Sequence, residues 1–281
     1  MHPVAATVDH RRLPRLFGMY AALAAAGFRR YATYRQATVA AAFTNSVFGF
    51  LRCYVLLSAA TALGGAVAGY AASQIATYVW LGQGLIGTVQ LWGGYEYAER
   101  IRTGEVVADL LRPVDVVWQQ LATDLGRAGH AALTRFVVPL VVGALAFDLY
   151  APRRVATYPL FALSVLLAVV VGFGCRFLVN ATAYWLLDAR GPQLGWVVCS
   201  TVLTGLMFPL PFLPRPVVTA LFLATPLPSL VQIPLDVVNE RSGPAGQVGL
   251  LALQAAWAVV MLALSRLVQR RGERRLVVQG G

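Results

Sequence analysis

The stretch "YPLFALSVLLAVVVGFGC", Tyr158–Cys175, contains no charged residue and indicates a helix inside a membrane. It belongs to an apolar region, residues 157–186, that exceeds the roughly 20 residues needed to cross a bilayer as a helix. The whole sequence is 58 % hydrophobic and 12 % charged, whereas soluble domains are about 25 % charged. Runs of this length favour helices over a closed barrel. The sequence therefore predicts an all-α polytopic membrane protein with a single transmembrane domain over residues 1–281.

Six apolar regions are predicted to span the membrane, and they are residues 38–63, 71–94, 128–149, 157–186, 192–211 and 246–268. A further apolar region, Arg215–Val238, carries four prolines, which would break a helix repeatedly. The positive-inside rule decides its place. With six spans and both termini in the cytoplasm, the inner segments hold 15 arginines and the outer loops hold four. Residues 212–245 are therefore predicted to form an outer, re-entrant region between spans five and six.

All 23 basic residues are arginine. A phosphate-binding loop of the Walker A type needs a lysine that reaches the terminal phosphates, and Schiff-base catalysis needs a lysine amine. The chain therefore has neither a Walker A loop nor a lysine for Schiff-base catalysis. Any ATP that drives its function is bound by another polypeptide. The three cysteines, Cys53, Cys175 and Cys199, lie in apolar runs without metal-ligand spacing, and we expect them to be small buried side chains.

Basic residues flank a short apolar stretch, "LFGMYAALAAAGF" at Leu16–Phe28. It is too short to span a bilayer. A helix that lies on the inner leaflet fits the arginines on both of its sides, and we predict such an interfacial helix over residues 11–37. A basic segment before a short apolar stretch also resembles a secretory signal, and this alternative stays open.

The stretch "ERIRTGEVVADLLRPVD", Glu99–Asp115, is the most charged part of the sequence. Apolar residues between Gly104 and Pro113 recur at helical spacing, which predicts a short amphipathic helix that begins at the glycine and ends at the proline. Asp115 is suited to cap a second helix that leads into the third span. Residues 95–127 are therefore predicted to form the largest cytoplasmic loop. An ordinary interfacial loop is the alternative.

Three segments carry a family resemblance. "IRTGEVVADLLRPVD" at Ile101–Asp115 contains Ile-x-x-Gly followed by Leu-Leu-Arg-Pro, "GFGCRFLVNATAYWLLD" at Gly172–Asp188 contains Arg-Phe and then Ala-Tyr-Trp, and "TGLMFPLPFLP" at Thr204–Pro214 contains Gly-x-x-x-Pro-Leu-x-Phe-x-Pro. Together they resemble the permease subunits of ABC exporters in the ABC-2 membrane family. "ATPLPSLVQIP" at Ala224–Pro234 departs from the Leu-Pro-Phe typical of the subfamily that the chain resembles.

The resemblance implies that two permeases, identical or related, pair over two separate ATPase subunits. ATP and Mg²⁺ would be bound by those partners, and this chain would hold no cofactor and catalyse no reaction. A cytoplasmic coupling helix would rest in a groove of each ATPase, and residues 11–37 would be the family's elbow helix. By position in the motif, the ATPase-coupling residues are Glu99, Arg102, Gly104, Glu105, Asp109, Leu110, Leu111, Arg112 and Pro113.

Charged and polar side chains inside spans are costly and are therefore functional candidates. Four arginines lie in or near the predicted spans: Arg52, Arg127, Arg135 and Arg176. The predicted translocation-path residues are Asn45, Arg52, Gln83, Gln90, Arg176 and Asn180. Bonds to internal carbonyls and snorkelling to an interface are the alternatives. The resemblance also implies an outer gate of Phe208, Pro209, Pro211 and Phe212, for which a structural turn is the alternative.

The predicted function is the export of an amphipathic small molecule, a drug or natural product, by alternating access across the plasma membrane of a bacterium. Lipid or polysaccharide export, and a non-transporting scaffold or sensor subunit, are the alternatives. No acidic residue is predicted near the middle of a span, which disfavours proton- or sodium-coupled transport. An intramembrane enzyme would need a nucleophile with a base, or metal ligands, at mid-depth, and the sequence offers neither. The expected partners include the lipid bilayer and no nucleic acid.

Overall fold

The computed structural model describes residues 12–33, 35–62, 66–112, 114–186 and 188–275. Within these residues the chain is mainly helical, and one two-stranded antiparallel hairpin pairs β1 (Ala66–Val67) with β2 (Tyr70–Ala71). In chain order the α-helices are α1 (Arg12–Ala32), α2 (Arg35–Ala62), α3 (Ala72–Leu85), α4 (Glu96–Arg102), α5 (Val106–Leu110), α6 (Val116–Ala131), α7 (Val137–Ala146), α8 (Thr157–Ala181), α9 (Arg190–Val202), α10 (Arg215–Ala224), α11 (Gln232–Val238) and α12 (Pro244–Glu273).

Four helical segments of the described chain are long and apolar enough to cross a membrane. One of them consists of α6 and α7, because a π-helical turn, Ala132–Phe136, joins the two. The four segments overlap predicted spans, and they are Thr38–Ala62, Val116–Ala146, Thr157–Tyr184 and Pro244–Glu273. The second of them begins inside the predicted loop 95–127, ahead of the predicted span 128–149, because the helix capped by Asp115 continues into that span. The structure therefore confirms an all-α membrane protein.

The other two predicted spans, 71–94 and 192–211, are interrupted helices. α3 continues into a π-helical turn, Ile86–Gln90, and stops there, because Gln90 has a left-handed backbone with φ of +57°. α9 has 13 residues, and the chain beyond it unwinds before a short 3₁₀ segment, Leu210–Phe212. Prolines in this segment have no backbone N–H with which to extend a helix. The count of six spans stays a prediction.

The central helix of the bundle is α8. In its most apolar part 56 % of the residues are buried, against 17–28 % in the other three candidate spans. α8 packs closely on α12 at Gly174, where an added Cβ would lie 2.6 Å from the Cβ of Met261. The same two helices are joined at Ser164, whose hydroxyl donates to Gln254 Oε1 at 2.7 Å. α8 also packs on α6, whereas the span of α2 packs on α3 and α7.

The predicted interfacial helix is α1, and it packs on α6 through two glycines. A Cβ added at Gly27 would lie 2.2 Å from the carbonyl oxygen of Thr123, and one added at Gly126 would lie 1.8 Å from that of Ala24. Only bare backbone fits at this crossing. Residues 11 and 34 of the predicted segment 11–37 lie outside the described residues, and the segment also includes the start of α2.

The bundle has two distinct ends. α1, α4, α5 and the C-terminal end of α12 lie at one of them, which we call the loop end, since Tyr97 of α4 bonds Gln269 of α12. The strands β1 and β2, the segment between α7 and α8, and the start of α12 lie at the other, which we call the hairpin end. There Arg241 donates to the carbonyl of Ala68 at 2.9 Å. Each candidate span runs from one end to the other.

Replacing Gly126 by alanine tests the α1–α6 crossing. We expect Gly126→Ala to destabilise the protein by about 1–3 kcal/mol, the usual effect of forcing an extra carbon into a packed contact. Thermal unfolding of the purified protein in detergent, followed by tryptophan fluorescence, measures this. Gly129→Ala is the matched control on the same helix, because its Cβ would meet only Phe28 Cδ2, at 3.8 Å. Equal unfolding temperatures for the two variants would contradict the packing.

Candidate functional site

The loop that contains α4 and α5 is fastened to two candidate spans by a closed ring of three hydrogen bonds. Tyr97 Oη donates to Gln269 Oε1 at 2.7 Å, and Gln269 Nε2 donates to Tyr184 Oη at 2.9 Å. The two tyrosine hydroxyls lie 3.0 Å apart and complete the ring. Tyr184 follows α8 directly and Gln269 lies on α12. The ring therefore fixes the position of α4 relative to both helices.

Asn180, a predicted path residue, positions the start of the same loop. Its Oδ1 accepts from the backbone N–H of Ala98 at 3.2 Å, and its Nδ2 donates to the carbonyl of Gly94 at 2.9 Å. The side chain is 3 % exposed. The Asn180 side chain therefore bonds two backbone groups of the segment that leads into α4. These bonds hold the start of the loop against α8.

The predicted ATPase-coupling residues divide between an inner and an outer face. Asp109 is buried with 0 % side-chain exposure, and it forms ion pairs with Arg100 at 2.8 Å and with Arg112 at 3.8 Å. Leu110 is half-buried. Gly104 forms the turn between α4 and α5 with φ of +80°, which favours glycine. Asp109 and Leu110 therefore shape the loop from within, and Gly104, which is exposed, forms its turn.

The outer face of the loop consists of exposed charged and apolar side chains. Leu111 is 81 % exposed, and Glu105 and Arg112 are exposed beside it. Glu99 accepts a hydrogen bond from Arg102 Nε at 2.9 Å, and this bond lowers the pKa of the Glu99 carboxyl. Pro113, the last residue of the predicted set, lies outside the described residues.

Asp115 caps α6, which confirms the sequence prediction. Its carboxylate accepts from the backbone N–H of Val117 at 3.0 Å and of Trp118 at 3.4 Å, as the N-cap residue of a helix does. It also pairs with Arg266 of α12 at 3.1 Å. α6 therefore begins at a fixed point next to the loop.

Two buried arginines close the broken end of α3. Arg127 of α6 donates from Nη1 to the carbonyl of Gly87 at 2.8 Å and from Nη2 to that of Thr88 at 3.0 Å. Its Nε donates to Asp124 Oδ1 at 2.6 Å. The last carbonyls of a helix have no partner within the helix, and here a guanidinium from a neighbouring helix supplies the donors.

The second arginine is Arg176 of α8, which takes the next two carbonyls. It donates to those of Val89 and Gln90, the latter at 3.0 Å, and its Nη2 donates to Asp124 Oδ2 at 2.8 Å. Asp124 thus bridges both arginines. We call Asp124, Arg127 and Arg176 the carbonyl clamp. Arg176 bonds internal carbonyls, which was the alternative to a path-lining role.

Two further predicted path residues, Arg52 and Gln83, do not line the cavities that the other four border. Arg52 donates to the carbonyls of Leu206 and, at 3.4 Å, Met207, in the unwound segment after α9. Gln83 is buried with 1 % exposure. The structure therefore does not bring the six predicted residues together along one path.

Asn45 and Gln90 do line one cavity, of about 300 Å³. Gln90 also borders a second cavity of about 100 Å³, which Arg176 and Asn180 line. Both cavities lie near the broken end of α3. Asn45 itself makes one long hydrogen bond, from Nδ2 to the carbonyl of Gln83 at 3.4 Å.

The predicted outer gate is anchored from inside the bundle. Pro209 is buried, and Phe208, Pro211 and Phe212 are half-buried. Gln232 Oε1 accepts from the backbone N–H of Leu210 at 2.8 Å, in the middle of this segment. Sequence reasoning missed the anchor, because Gln232 is 22 residues further along the chain in a region read only for its prolines.

The Tyr78 hydroxyl supports the same segment from α3. It lies 2.6 Å from the carbonyl oxygen of Gly205 and 2.8 Å from Gln232 Oε1. Gly205 has φ of +88°, and a Cβ added there would lie 2.7 Å from the tyrosine hydroxyl. The glycine of the family-like "TGLMFPLPFLP" pattern is therefore required by both the backbone conformation and this contact.

Glu240 is a second residue that sequence reasoning missed, and it ties together two segments at the hairpin end. Its carboxylate accepts five hydrogen bonds, from Tyr150 Oη, Thr157 Oγ1, Arg153 N, Arg154 N and Arg154 Nε, at 2.7–3.0 Å. Partial burial alone would raise its pKa, but the hydrogen bonds from Tyr150, Thr157 and Arg154 outweigh burial and hold the pKa well below the usual range.

A family model described as "ABC-2 family transporter protein" matches residues 43–280. The chain belongs to the ABC-2 transporter family. The family resemblance carried by the three sequence motifs is thereby confirmed. No curated protein and no solved structure matches the chain. Membership makes the chain a multi-pass permease subunit of an ABC transporter, and such permeases are non-catalytic subunits that associate with an ABC ATPase.

Neutralising Asp124 tests the carbonyl clamp. Asp124→Asn keeps the side-chain size but leaves two arginines, 5–6 % exposed, without their counter-charge. We expect a loss of about 3–5 kcal/mol, as when one partner of a buried ion pair is removed. Thermal unfolding in detergent measures it. Asp148→Asn, at an exposed position, is the control and should leave the unfolding temperature unchanged, and equal values for both variants would argue against the clamp.

Replacing Glu240 tests the hairpin end and its pH dependence. We expect Glu240→Gln to cost about 2 kcal/mol at neutral pH, because hydrogen bonds to a charged group contribute roughly 1.5–3 kcal/mol. Folding lowers the Glu240 pKa, so the carboxylate stabilises the folded state above the unfolded pKa of about 4.3. That stabilisation is lost as the pH falls below this value.

The measurement is the difference in unfolding temperature between wild type and Glu240→Gln across pH. It should be constant from about pH 8 to about pH 5 and shrink toward about pH 3. The exposed Glu105→Gln serves as the control and should show no difference at any pH. A Glu240→Gln difference that persists undiminished in acid would exclude the ionised carboxylate as its source.

Proposed function

We propose that this chain is the permease of an ATP-driven exporter with six spans. The interrupted helices, α3 with its π-helical turn and α9, cross as the second and fifth spans. Arginine side chains donate hydrogen bonds to the backbone carbonyls at the broken ends of both helices. This supports the placement, because unpaired carbonyls are not tolerated at membrane depth. The excess of arginines in the segments at the loop end supports a cytoplasmic loop end, with both termini there, in the plasma membrane of a bacterium.

The single observation that carries the proposal is the two-sided construction of the loop. Its inner face is fastened to α8 and α12 by the ring of Tyr97, Tyr184 and Gln269. Its outer face leaves Leu111 and charged side chains exposed. A surface that is held rigidly on one side and offers apolar and charged groups on the other is suited to a protein partner. The partner of this surface is the ATPase.

The contact residues in this proposal are the exposed members of the predicted coupling set, and they are Glu99, Arg102, Glu105, Leu111 and Arg112. Gly104, Asp109 and Leu110 hold the contact in shape. Exposed arginines and carboxylates form charge-assisted hydrogen bonds across an interface. The ATPase binds ATP and Mg²⁺ and moves the loop, and the loop transmits that motion to α8 and α12 through the bonds described above.

The cargo in this proposal is an amphipathic small molecule that leaves the cell. Two permeases, identical or related, enclose its route, and each contributes the segment at Phe208–Phe212 to the outer end. Neither ATP nor a metal ion is held by this chain. Directional movement follows from alternating access, in which ATP binding and hydrolysis by the partner favour different conformations of the permease pair.

Reversing two exposed charges tests the contact with the ATPase. We expect Glu105→Arg with Arg112→Glu to abolish co-purification of the tagged permease with the ATPase encoded beside its gene, because attractive contacts become repulsive. Membrane insertion should be unchanged, since both side chains are exposed. Because Arg112 also pairs with buried Asp109 at 3.8 Å, the unfolding temperature of the variant is measured as well, and it must stay close to that of the wild type for the loss of the complex to be assigned to the contact.

The matched control is Asp148→Arg with Arg153→Asp, an exposed pair at the hairpin end. It also preserves net charge and should leave the complex intact. Undiminished co-purification of the loop variant would refute the proposed contact. Absence of a complex even for the wild type would favour a scaffold or sensor subunit.

A further inference from the structure

Of the four arginines in or near the predicted spans, three have buried partners. Arg127 and Arg176 form the carbonyl clamp, and Arg52 donates to the carbonyls of the unwound segment after α9. Arg135 makes no hydrogen bond or ion pair with any residue in the described part of the chain. A charged side chain within a membrane span is costly and marks a functional site by default. No described residue of this chain therefore pairs with the Arg135 guanidinium, which leaves it able to bind a ligand.

Arg135 occupies an irregular part of its helix. It lies in the π-helical turn Ala132–Phe136, within the candidate span Val116–Ala146. Single π-helical turns interrupt α-helices frequently at functional sites. The side chain passes over the bare backbone of Gly87, where an added Cβ would lie 2.9 Å from Arg135 Cδ. The π-helical turn and the contact with Gly87 together set the direction of the Arg135 side chain.

The side chain lines the cavity of about 300 Å³ that Asn45 and Gln90 also line. This volume is at the lower end of the range for small-molecule sites, roughly 300–1,000 Å³. The other polar groups along its wall include Thr44, Tyr31 and His130, and none of its described lining residues is acidic. The cavity thus offers hydrogen-bond donors and an uncompensated positive charge.

An apolar surface continues from this cavity. Thr44 and Phe48 are four residues apart on α2 and therefore lie on the same face, and Phe48 is 54 % exposed. Trp92, another lining residue, is 40 % exposed. A ligand with its charged group at Arg135 can therefore lay an apolar part along exposed side chains.

We propose that this cavity binds an anionic amphiphile, whose carboxylate, sulfate or phosphate group is bound by Arg135. A guanidinium binds such groups through paired, charge-assisted hydrogen bonds. Asn45 and Gln90 offer further amide donors to the same group. The inference deepens the proposed export function by naming the substrate class. Binding itself requires neither the ATPase nor transport.

The experiment measures scintillation-proximity binding of tritiated palmitate and tritiated hexadecanol to the full chain in phosphatidylcholine nanodiscs. The two probes share an alkyl chain and differ in charge. We expect the wild type to bind palmitate at least about tenfold more tightly than hexadecanol. Equal affinity of the wild type for both probes would overturn the proposal without any variant.

Two substitutions assign the preference to Arg135. Arg135→Gln should abolish the palmitate preference, and Arg135→Lys, which keeps the charge but loses the paired hydrogen bonds, should retain only part of it. A preference that survives Arg135→Gln would overturn the assignment, and normal unfolding temperatures show that each variant is folded. Because no ATPase is present, these outcomes are independent of the charge-reversal experiment on the loop.

Phosphatidylglycerol in the nanodiscs distinguishes two sources of the anionic group. If it reduces palmitate binding to the wild type but not the residual binding to Arg135→Gln, the site is supported and takes a membrane lipid. If palmitate binding is unaffected, the site is supported and selects an acidic molecule other than a bilayer phospholipid.

Discussion

The structure depends on the satisfaction of backbone carbonyls where helices break inside an apolar bundle. In the π-helical turn that ends α3, two guanidinium groups from α6 and α8 donate to four successive backbone carbonyls. Without these donors the carbonyls would be buried and unpaired, at a large cost in free energy. The clamp therefore determines how closely α6 and α8 approach α3, and the cavities and the loop are positioned by that approach.

The exclusive use of arginine in this chain suits the same constraint. A guanidinium has five N–H donors in a planar fork, so one side chain can satisfy two carbonyls and a carboxylate together. Arg127 does this at the clamp, and Arg241 donates to the carbonyls of Ala68 and Gly69 while its guanidinium lies 3.9 Å from the centre of the Tyr70 ring. The compact ammonium of lysine lacks this geometry. Arginine here is mainly a backbone partner.

Much of the fold could be predicted from local patterns, since hydropathy identified the four long spans and the N-cap role of Asp115 follows from its position before an apolar helix. The family was recognisable from motifs that include Gly104 and Gly205, whose left-handed backbones only glycine adopts readily. The clamp was not predictable, because Asp124 and Arg176 are 52 residues apart and hydropathy says nothing of which helices meet. Glu240 was missed for the same reason, as its partners lie 83–90 residues away.

The ring of Tyr97, Tyr184 and Gln269 has a consequence for how force passes through the loop. Each hydroxyl both donates and accepts, so the loss of one bond leaves two groups unpaired among buried apolar side chains. Each further bond that opens adds to this cost, and mutual polarisation around the ring makes the closed arrangement stronger than three separate bonds. A pull on α4 is therefore shared between α8 and α12 and is not passed to one helix alone.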